Sequence, residues 1–310
     1  MNILITGGTG LIGRALLPKL LDDGHNVTVL TRDPEKKRDG LPSGVIPVGW
    51  DGHSTEGWSH LIDETDAIIN LAGQSIAGES LKAILTRRWT DEQKNRIKQS
   101  RVDSGQALVA AMRLAKKKPS VFIQASAVGY YGPRGNEDIT ESTEAGTDFL
   151  AEVSQAWEDS TLEIEQMGIR RAIIRLGLVF APISGILPVM LLPFRLFVGG
   201  HLGTGKQIVS WIHIQDLVDA IRFLLENQDA HGVFNLSAPN PVSNAEFGCI
   251  AGRVMHRPNW IPVPGFALKL VLGEKSSLVL DGQRSIPQRL LEAGYKFKFS
   301  ELDRALEDLL

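Results

Sequence analysis

The chain opens on an apolar run, Ile3-Leu4-Ile5, meets glycines at once, and then carries Ala15, Leu16, Leu17, Leu20 and Leu21 at the spacing of a helix face. Similar unbroken apolar runs predict strands over 2–6, 26–30, 45–48, 66–71, 120–126 and 171–179. Strands without polar alternation are buried on both faces, and here they alternate with helical stretches, which is the pattern of a doubly wound parallel sheet. The clearest helix is predicted over 90–115, where Thr90-Asp91-Glu92-Gln93 forms a capping box and Lys116-Lys117-Lys118-Pro119 ends it. A second helix is predicted over 148–167, with Phe149, Val153, Trp157 and Ile164 as its apolar stripe and Gly168 as its stop; Trp157 reads as core.

After Phe180 the alternation decays and prolines and glycines accumulate up to Gly205. A helix near 215–227, a strand near 232–236, a helix near 243–255 and short helices after Pro264 follow. The expected organisation is therefore an α/β sheet domain over 1–180, joined by later sheet elements within 206–240. A smaller α/β substrate-side region is expected over 181–310, ending in a helical segment over 261–310.

Composition adds mainly exclusions. With 33 basic and 36 acidic side chains the formal charge is −3, which provides no field to gather nucleic acid. The single cysteine, Cys249, cannot close an internal disulfide and belongs to no cluster of metal-ligand spacing, so no metal is expected and a reducing, cytoplasmic setting fits. Because the first strand starts at residue 2, no signal peptide is expected. Residues 176–194 carry no charge and reach the length of a membrane span, but Gly177, Pro182, Ser184, Gly185, Pro188 and Pro193 suit a strand, a turn and a short helix instead.

The strongest chemical signal is Thr6-Gly7-Gly8-Thr9-Gly10-Leu11-Ile12-Gly13, set between a strand and a helix. Gly7 permits a tight turn, Gly10 lets backbone approach a pyrophosphate, Gly13 lets helix pack on strand, and the helix amino end favours negative charge. This is a Rossmann-type dinucleotide site. At the end of the second strand, where an acid would hold the ribose 2′-hydroxyl of NAD, stand Thr31 and Arg32. An arginine there pairs with a 2′-phosphate, so NADP(H) is the expected cofactor. Asp33 is the competing residue: a shift of one position would restore an acid, while its alternative role is a turn before Pro34.

The glycine loop, Asn70-Leu71-Ala72-Gly73 and Ser126-Ala127-Val128-Gly129-Tyr130-Tyr131-Gly132 together resemble an extended short-chain dehydrogenase/reductase. Leu192-Pro193-Phe194-Arg195, Trp211-Ile212-His213-Ile214-Gln215-Asp216, Asn244-Ala245-Glu246-Phe247 and the tail from Gly282 to Tyr295 narrow this to one atypical branch. That branch is the epimerase family proteins, NAD-dependent epimerase/dehydratase-like chains with a C-terminal domain of unknown function. The resemblance implies that Gly7, Thr9, Gly10, Leu11, Ile12 and Gly13 form the pyrophosphate loop, that Arg32 meets the 2′-phosphate, and that Asp51 lies beside the adenine. It further implies that Leu71, Ala72 and Gly73 pass under the adenosine side and that Ser126 sits near the nicotinamide. Asn70 to Gly73 read alternatively as a plain strand end, and Asp51 as a turn acid before Gly52. Related enzymes often pair through their two long helices, so a homodimer is expected.

The wider superfamily relies on a helical tyrosine followed four residues later by lysine, the tyrosine passing a proton and the lysine lowering its pKa. The corresponding segment, Asp148 to Glu158, contains neither residue, and no tyrosine in the chain has a lysine four positions on. Substitute catalytic candidates are Ser126, Tyr130, Tyr131 and His213, with Gln207 and Asp216 weaker and Trp211 a possible stacking surface. Three function classes stay open: an NADP(H)-dependent oxidoreductase on an unknown small carbonyl compound, a non-catalytic NADP(H)-binding regulator, and a nucleotide-sugar epimerase with a relocated acid. An apolar cleft is expected from Met190, Leu191, Phe194, Trp211 and Trp260.

Overall fold

A computed structural model describes residues 1–76 and 88–310. Seven strands form one parallel sheet: β1 (Asn2–Thr6), β2 (Asn26–Thr31), β3 (Val45–Gly49), β4 (Ala67–Asn70), β5 (Val121–Ala127), β6 (Arg170–Leu176) and β7 (Gly232–Leu236). Their order in space is β7-β6-β5-β4-β1-β2-β3. The chain moves outward one way from β1 and then the other way from β4, so a crevice opens between the carboxyl ends of β1 and β4, where such sheets bind ligands. Alternate strand residues feed opposite layers. Ile3, Ile5, Val29 and Ile69 pack with Leu16, Leu17 and Leu20 of helix α1 (Leu11–Asp22), whereas Leu4, Leu30, Ile68 and Phe122 pack with Leu108 and Met112 of α2 (Asp91–Leu114). Full burial of each such leucine is worth ~1.5–3 kcal/mol.

The helix expected over 148–167 is shorter. α3 runs Phe149–Asp159, and a separate turn of helix covers Glu163–Gln166. The Glu158 carbonyl, which a longer helix would use, is taken by the Arg171 guanidinium and by the Thr161 hydroxyl. The strand expected over 171–179 is also two pieces, because Gly177 leaves the main sheet. Its N–H still donates to the Leu236 carbonyl, but Leu178 already donates to Ser210, and a Cβ on Gly177 would lie 2.7 Å from the Ser210 oxygen. The strand Leu178–Phe180 then pairs with Trp211–His213.

Beyond this switch lie α4 (Leu187–Arg195), α5 (Ile214–Glu226) and α6 (Asn244–Met255). α6 opens with a capping box of Ser243 and Glu246. The final helix, Leu302–Leu309, buries Leu302, Leu306 and Leu309 in a cluster with Phe180, Trp211 and Phe247. Among the described residues no helix is long and apolar enough to cross a membrane.

Candidate functional site: a dinucleotide crevice and an apolar cavity

Gly7 has a φ of +69°, and a Cβ there would stand 2.6 Å from the Leu71 carbonyl oxygen. Only glycine allows both the turn and this contact. At Gly13 a Cβ would fall 2.3–2.5 Å from the Gly8 backbone, so helix and loop touch main chain to main chain. Gly10 is the N-cap of α1, no side chain caps it, and the first turn holds no acid. The amino end of α1 is thus left open to an anion. Thr9 holds the loop through its carbonyl, which accepts from Arg14 Nε at 3.0 Å. Leu11 is covered by the segment after Phe180, since a Cβ on Gly185 would lie 2.8 Å from Leu11 Cδ2.

The floor of the crevice is a buried polar network. Thr6 Oγ1 donates to Asn70 Oδ1 at 2.5 Å, Ser104 Oγ donates to the same oxygen at 3.0 Å, and Asn70 Nδ2 donates to Gln124 Oε1 at 3.0 Å. This ties the ends of β1, β4 and β5 together and directs the chain at Leu71, Ala72 and Gly73. Ala72 N–H donates to Thr6 Oγ1 at 3.2 Å and the Leu71 carbonyl faces Gly7, so this segment runs against the start of the glycine loop.

β2 ends at Thr31, which is buried, and Arg32 follows at once, exposed and in no ion pair among the described residues. Asp33 does not take that place: its carboxylate caps the short helix Pro34–Arg38 by accepting from Lys36 N–H. Asp51 is used by its own turn. It accepts from Ser54 and His53 N–H at 2.8 and 2.9 Å, which lowers its pKa to about 2.

Next to the crevice is a cavity of about 660 Å³ at the carboxyl ends of β5 and β6, walled by α3, α4 and the segment after Pro264. Among the described residues only Arg101, Asp148, Lys275 and Asp281 bring charge to its wall. Asp281 has a raised pKa because burial and the nearby Asp148 disfavour its charge. Of the residues expected to form an apolar cleft, Met190 and Phe194 line the cavity. Leu191 and Trp211 do not: both are buried in the cluster behind it, Trp211 stacked on Phe180 at 5.9 Å. Trp260 is 68% exposed, its indole N–H donating to the Phe197 carbonyl. Trp157 serves both core and cavity wall.

The catalytic candidates separate. Ser126 lines the cavity, but its hydroxyl donates to Glu158 Oε1 at 2.6 Å. Arg175 grips both oxygens of that carboxylate at 2.8 Å. Arg175 Nη1 also donates to the Tyr131 hydroxyl at 2.9 Å, which donates to Asn235 at 2.7 Å. Tyr131 is therefore fully buried away from the cavity, and burial, outweighing Arg175, pushes its pKa to about 12. Tyr130 packs its ring 3.3 Å from the Arg175 guanidinium carbon and does not line the cavity either. His213 is the N-cap of α5, accepting from Gln215 N–H through Nδ1 and stacked on Phe299 at 3.9 Å. Asp216 accepts from Lys298 and Phe299 N–H, and Gln207 donates to the Leu202 and Val279 carbonyls. The structure thus removes Tyr130, Tyr131 and His213 as proton donors to a ligand in this cavity.

The capping role of His213 carries a pH signature. Burial lowers its pKa from the ordinary 6.5, although Asp308 Oδ2, 3.3 Å from Nε2 and off line for a hydrogen bond, opposes the shift. The folded state then binds fewer protons than the unfolded chain between the depressed value and 6.5, so stability falls as pH drops through 6.5. His213→Asn keeps a capping acceptor and lacks this titration. Urea unfolding of both proteins between pH 7.5 and 5.5 should show the wild type losing ground to the variant on acidification. Parallel pH dependences would contradict this.

The profile of the NAD dependent epimerase/dehydratase family matches residues 3–237, and a domain of unknown function, DUF1731, matches 263–309. The chain belongs to the NAD dependent epimerase/dehydratase family. It is 39% identical over 313 residues to the epimerase family protein YfhF of Bacillus subtilis, covering 100% of this chain and 98% of that one. Among solved structures, the human epimerase family protein SDR39U1 with NADPH superposes with a TM-score of 0.85 at 32% identity, covering 100% of this chain and 99% of that one. A nucleoside-diphosphate sugar epimerase from Corynebacterium glutamicum gives 0.77 at 32% identity, over 100% of this chain and 58% of that one.

Sequence reasoning missed Arg101, Glu158, Arg175, Lys275 and Asp281. A signal existed for the first: Ile97, Arg101, Gly105, Leu108 and Met112 form the buried stripe of α2, and an arginine interrupts it. Arg175 likewise stands on a buried strand face, which it shares with Ile173 and a second arginine, Arg171.

Proposed function

We propose that this protein is an NADP(H)-dependent oxidoreductase that reduces a largely apolar carbonyl compound in the cavity beside Ser126, and that it works in the cytoplasm. The observation carrying the cofactor choice is Arg32, exposed and in no ion pair among the described residues at the end of β2, while Asp33 is engaged as a helix cap. The NADPH in the related human structure supports the same choice. When bound, the nicotinamide supplies or accepts a hydride, and the chain's own residues hold and shield the reactants. Gly7, Gly10 and Gly13 shape the crevice, Leu71 to Gly73 form its side, and Ser126 stands where crevice and cavity meet. The mostly uncharged wall favours a substrate less anionic than a sugar nucleotide. Pairing of two copies through α2 and α3 belongs to the same proposal.

A charge-assisted contact to phosphate contributes ~1.5–3 kcal/mol, so Arg32→Ala should weaken NADPH binding by roughly 10- to 150-fold and leave NADH nearly unchanged. Calorimetric titration of both proteins with both nucleotides measures this. Equal wild-type affinity for NADH and NADPH would overturn the choice.

A second reading, a binding protein without turnover, draws support from the Ser126 hydroxyl, whose proton is already given to Glu158. NADPH consumption with a panel of quinones and activated ketones separates the two. Slow oxidation supports the reductase, and tight binding with none supports the regulator.

A further inference from the structure

Arg101 is an unusual charged residue. It is only 6% exposed, projects from the middle of α2, and faces no carboxylate among the described residues. One Nη1 N–H donates to the Ile97 carbonyl at 2.9 Å, and Nε is buried with no partner. Burial with nothing to offset it lowers the pKa to about 10, so the group stays charged at neutral pH. An uncompensated buried cation is costly, and a strongly perturbed group that lines a cleft is a functional-site candidate. Arg171 and Arg175, equally buried, each have a glutamate.

Its surroundings say what kind of ligand. The guanidinium carbon lies 4.8 Å from the Trp157 ring centre on one hand. On the other it is 3.1 Å from where a Cβ on Gly73 would be, so the absent side chain at Gly73 is what admits it. Gly73 continues from Ala72, which is bonded to the glycine loop through Thr6, and Arg101 itself lines the cavity with Ser126 and Trp157. Arg101 therefore stands at the junction of the dinucleotide crevice and the cavity. The neighbouring face of α3 offers this junction no charge, since Leu150, Val153, Ser154 and Trp157 are what it turns toward the cavity.

We propose that Arg101 is an oxyanion-binding residue, receiving a negatively charged oxygen of the bound ligand at the inner end of the cavity. That oxygen comes from a phosphate of the dinucleotide or from a carboxylate or enolate of the substrate; planar guanidinium chemistry is the same for both. This rests on the oxidoreductase reading only for the identity of the dinucleotide. It gives the apolar cavity one anion-selective point.

The test uses the full chain, wild type, Arg101→Met and Arg101→Lys, with NADPH, and with decanoate added to free and NADPH-saturated protein as a carboxylate probe. Arg101→Met should lose at least 10-fold in affinity for one of the two, and Arg101→Lys should recover part of the loss. Loss for NADPH assigns the oxygen to the cofactor, and loss for decanoate alone assigns it to the substrate. Because no carboxylate is left unpaired, the melting temperature of ligand-free Arg101→Met should equal or exceed that of the wild type. A substantially lower melting temperature, or affinities for both ligands within twofold of wild type, would overturn the proposal. The Arg32→Ala titration is independent of either result, so the cofactor reading stands or falls separately.

Discussion

Glu158→Ala is expected to lower the unfolding free energy by ~3–5 kcal/mol, the cost of leaving a buried partner charge uncompensated. Glu158 and Arg175 are both nearly buried and joined by two hydrogen bonds of 2.8 Å. Removing the carboxylate strands the guanidinium under Tyr130, where it is unable to reach water, and also takes the acceptor from Ser126. Burial opposes the charge on Arg175, yet Glu158 and Tyr131 more than offset this and raise its pKa. Glu158→Leu combined with Arg175→Met removes both charges at once and should recover a large part of the loss, as replaced buried ion pairs do. Urea unfolding with an unchanged slope measures both effects. A loss under ~1 kcal/mol for Glu158→Ala would mean that the pair is solvated and works as a surface salt bridge does.

The same network explains what could be read from the sequence and what could not. β1, its glycine loop and α1 are contiguous, and each local requirement is written in adjacent residues, so Gly7, Gly10 and Gly13 were legible without any tertiary information. The choice between Arg32 and Asp33 was legible only as a pair of alternatives. The helix cap at Asp33 settles which residue remains free. Of the proton-donor candidates Ser126 lines the cavity, while Tyr130, Tyr131 and His213 do not, for a different reason. Tyr131 sits five residues after Ser126 in the chain, but β5 ends at Ala127 and a tight 3-10 turn over Val128–Tyr131 swings its ring under the sheet end toward Arg175 and Asn235. Those partners lie 44 and 104 residues away. Ala127, Val128, Gly129, Gly132 and Pro133 line the cavity with Ser126, so proximity in sequence locates this wall but not which of its side chains face the cavity. His213 is ambiguous in a similar way, because a histidine at a strand end and a histidine capping the following helix have the same sequence signature.

On the oxidoreductase reading, installing the missing dyad is expected to raise turnover. On α3, Leu150 and Ser154 are four residues apart and both line the cavity, which is the spacing of the superfamily's tyrosine and lysine. Val153 and Trp157 share that spacing, but both are buried, Trp157 belongs to the main core and Arg101 lies on its ring, so they are the poorer sites for exchange. Ser154 makes only a back-bond to the Leu150 carbonyl at 2.8 Å, and its loss is minor. The cavity has room for both larger side chains. If the chain is the reductase proposed, a lysine at 154 would lower the pKa of a tyrosine at 150 and give the product alkoxide a proton donor that Ser126, bonded to Glu158, does not provide. General acid catalysis contributes ~10²- to 10⁴-fold, so Leu150→Tyr with Ser154→Lys should raise NADPH oxidation with the best quinone or ketone by about 10²-fold. Leu150→Phe with Ser154→Met fills the same space without chemistry and should give no gain. If the dyad variant folds, binds NADPH as the wild type does and still turns over no faster, the reacting carbonyl does not lie beside positions 150 and 154 of α3.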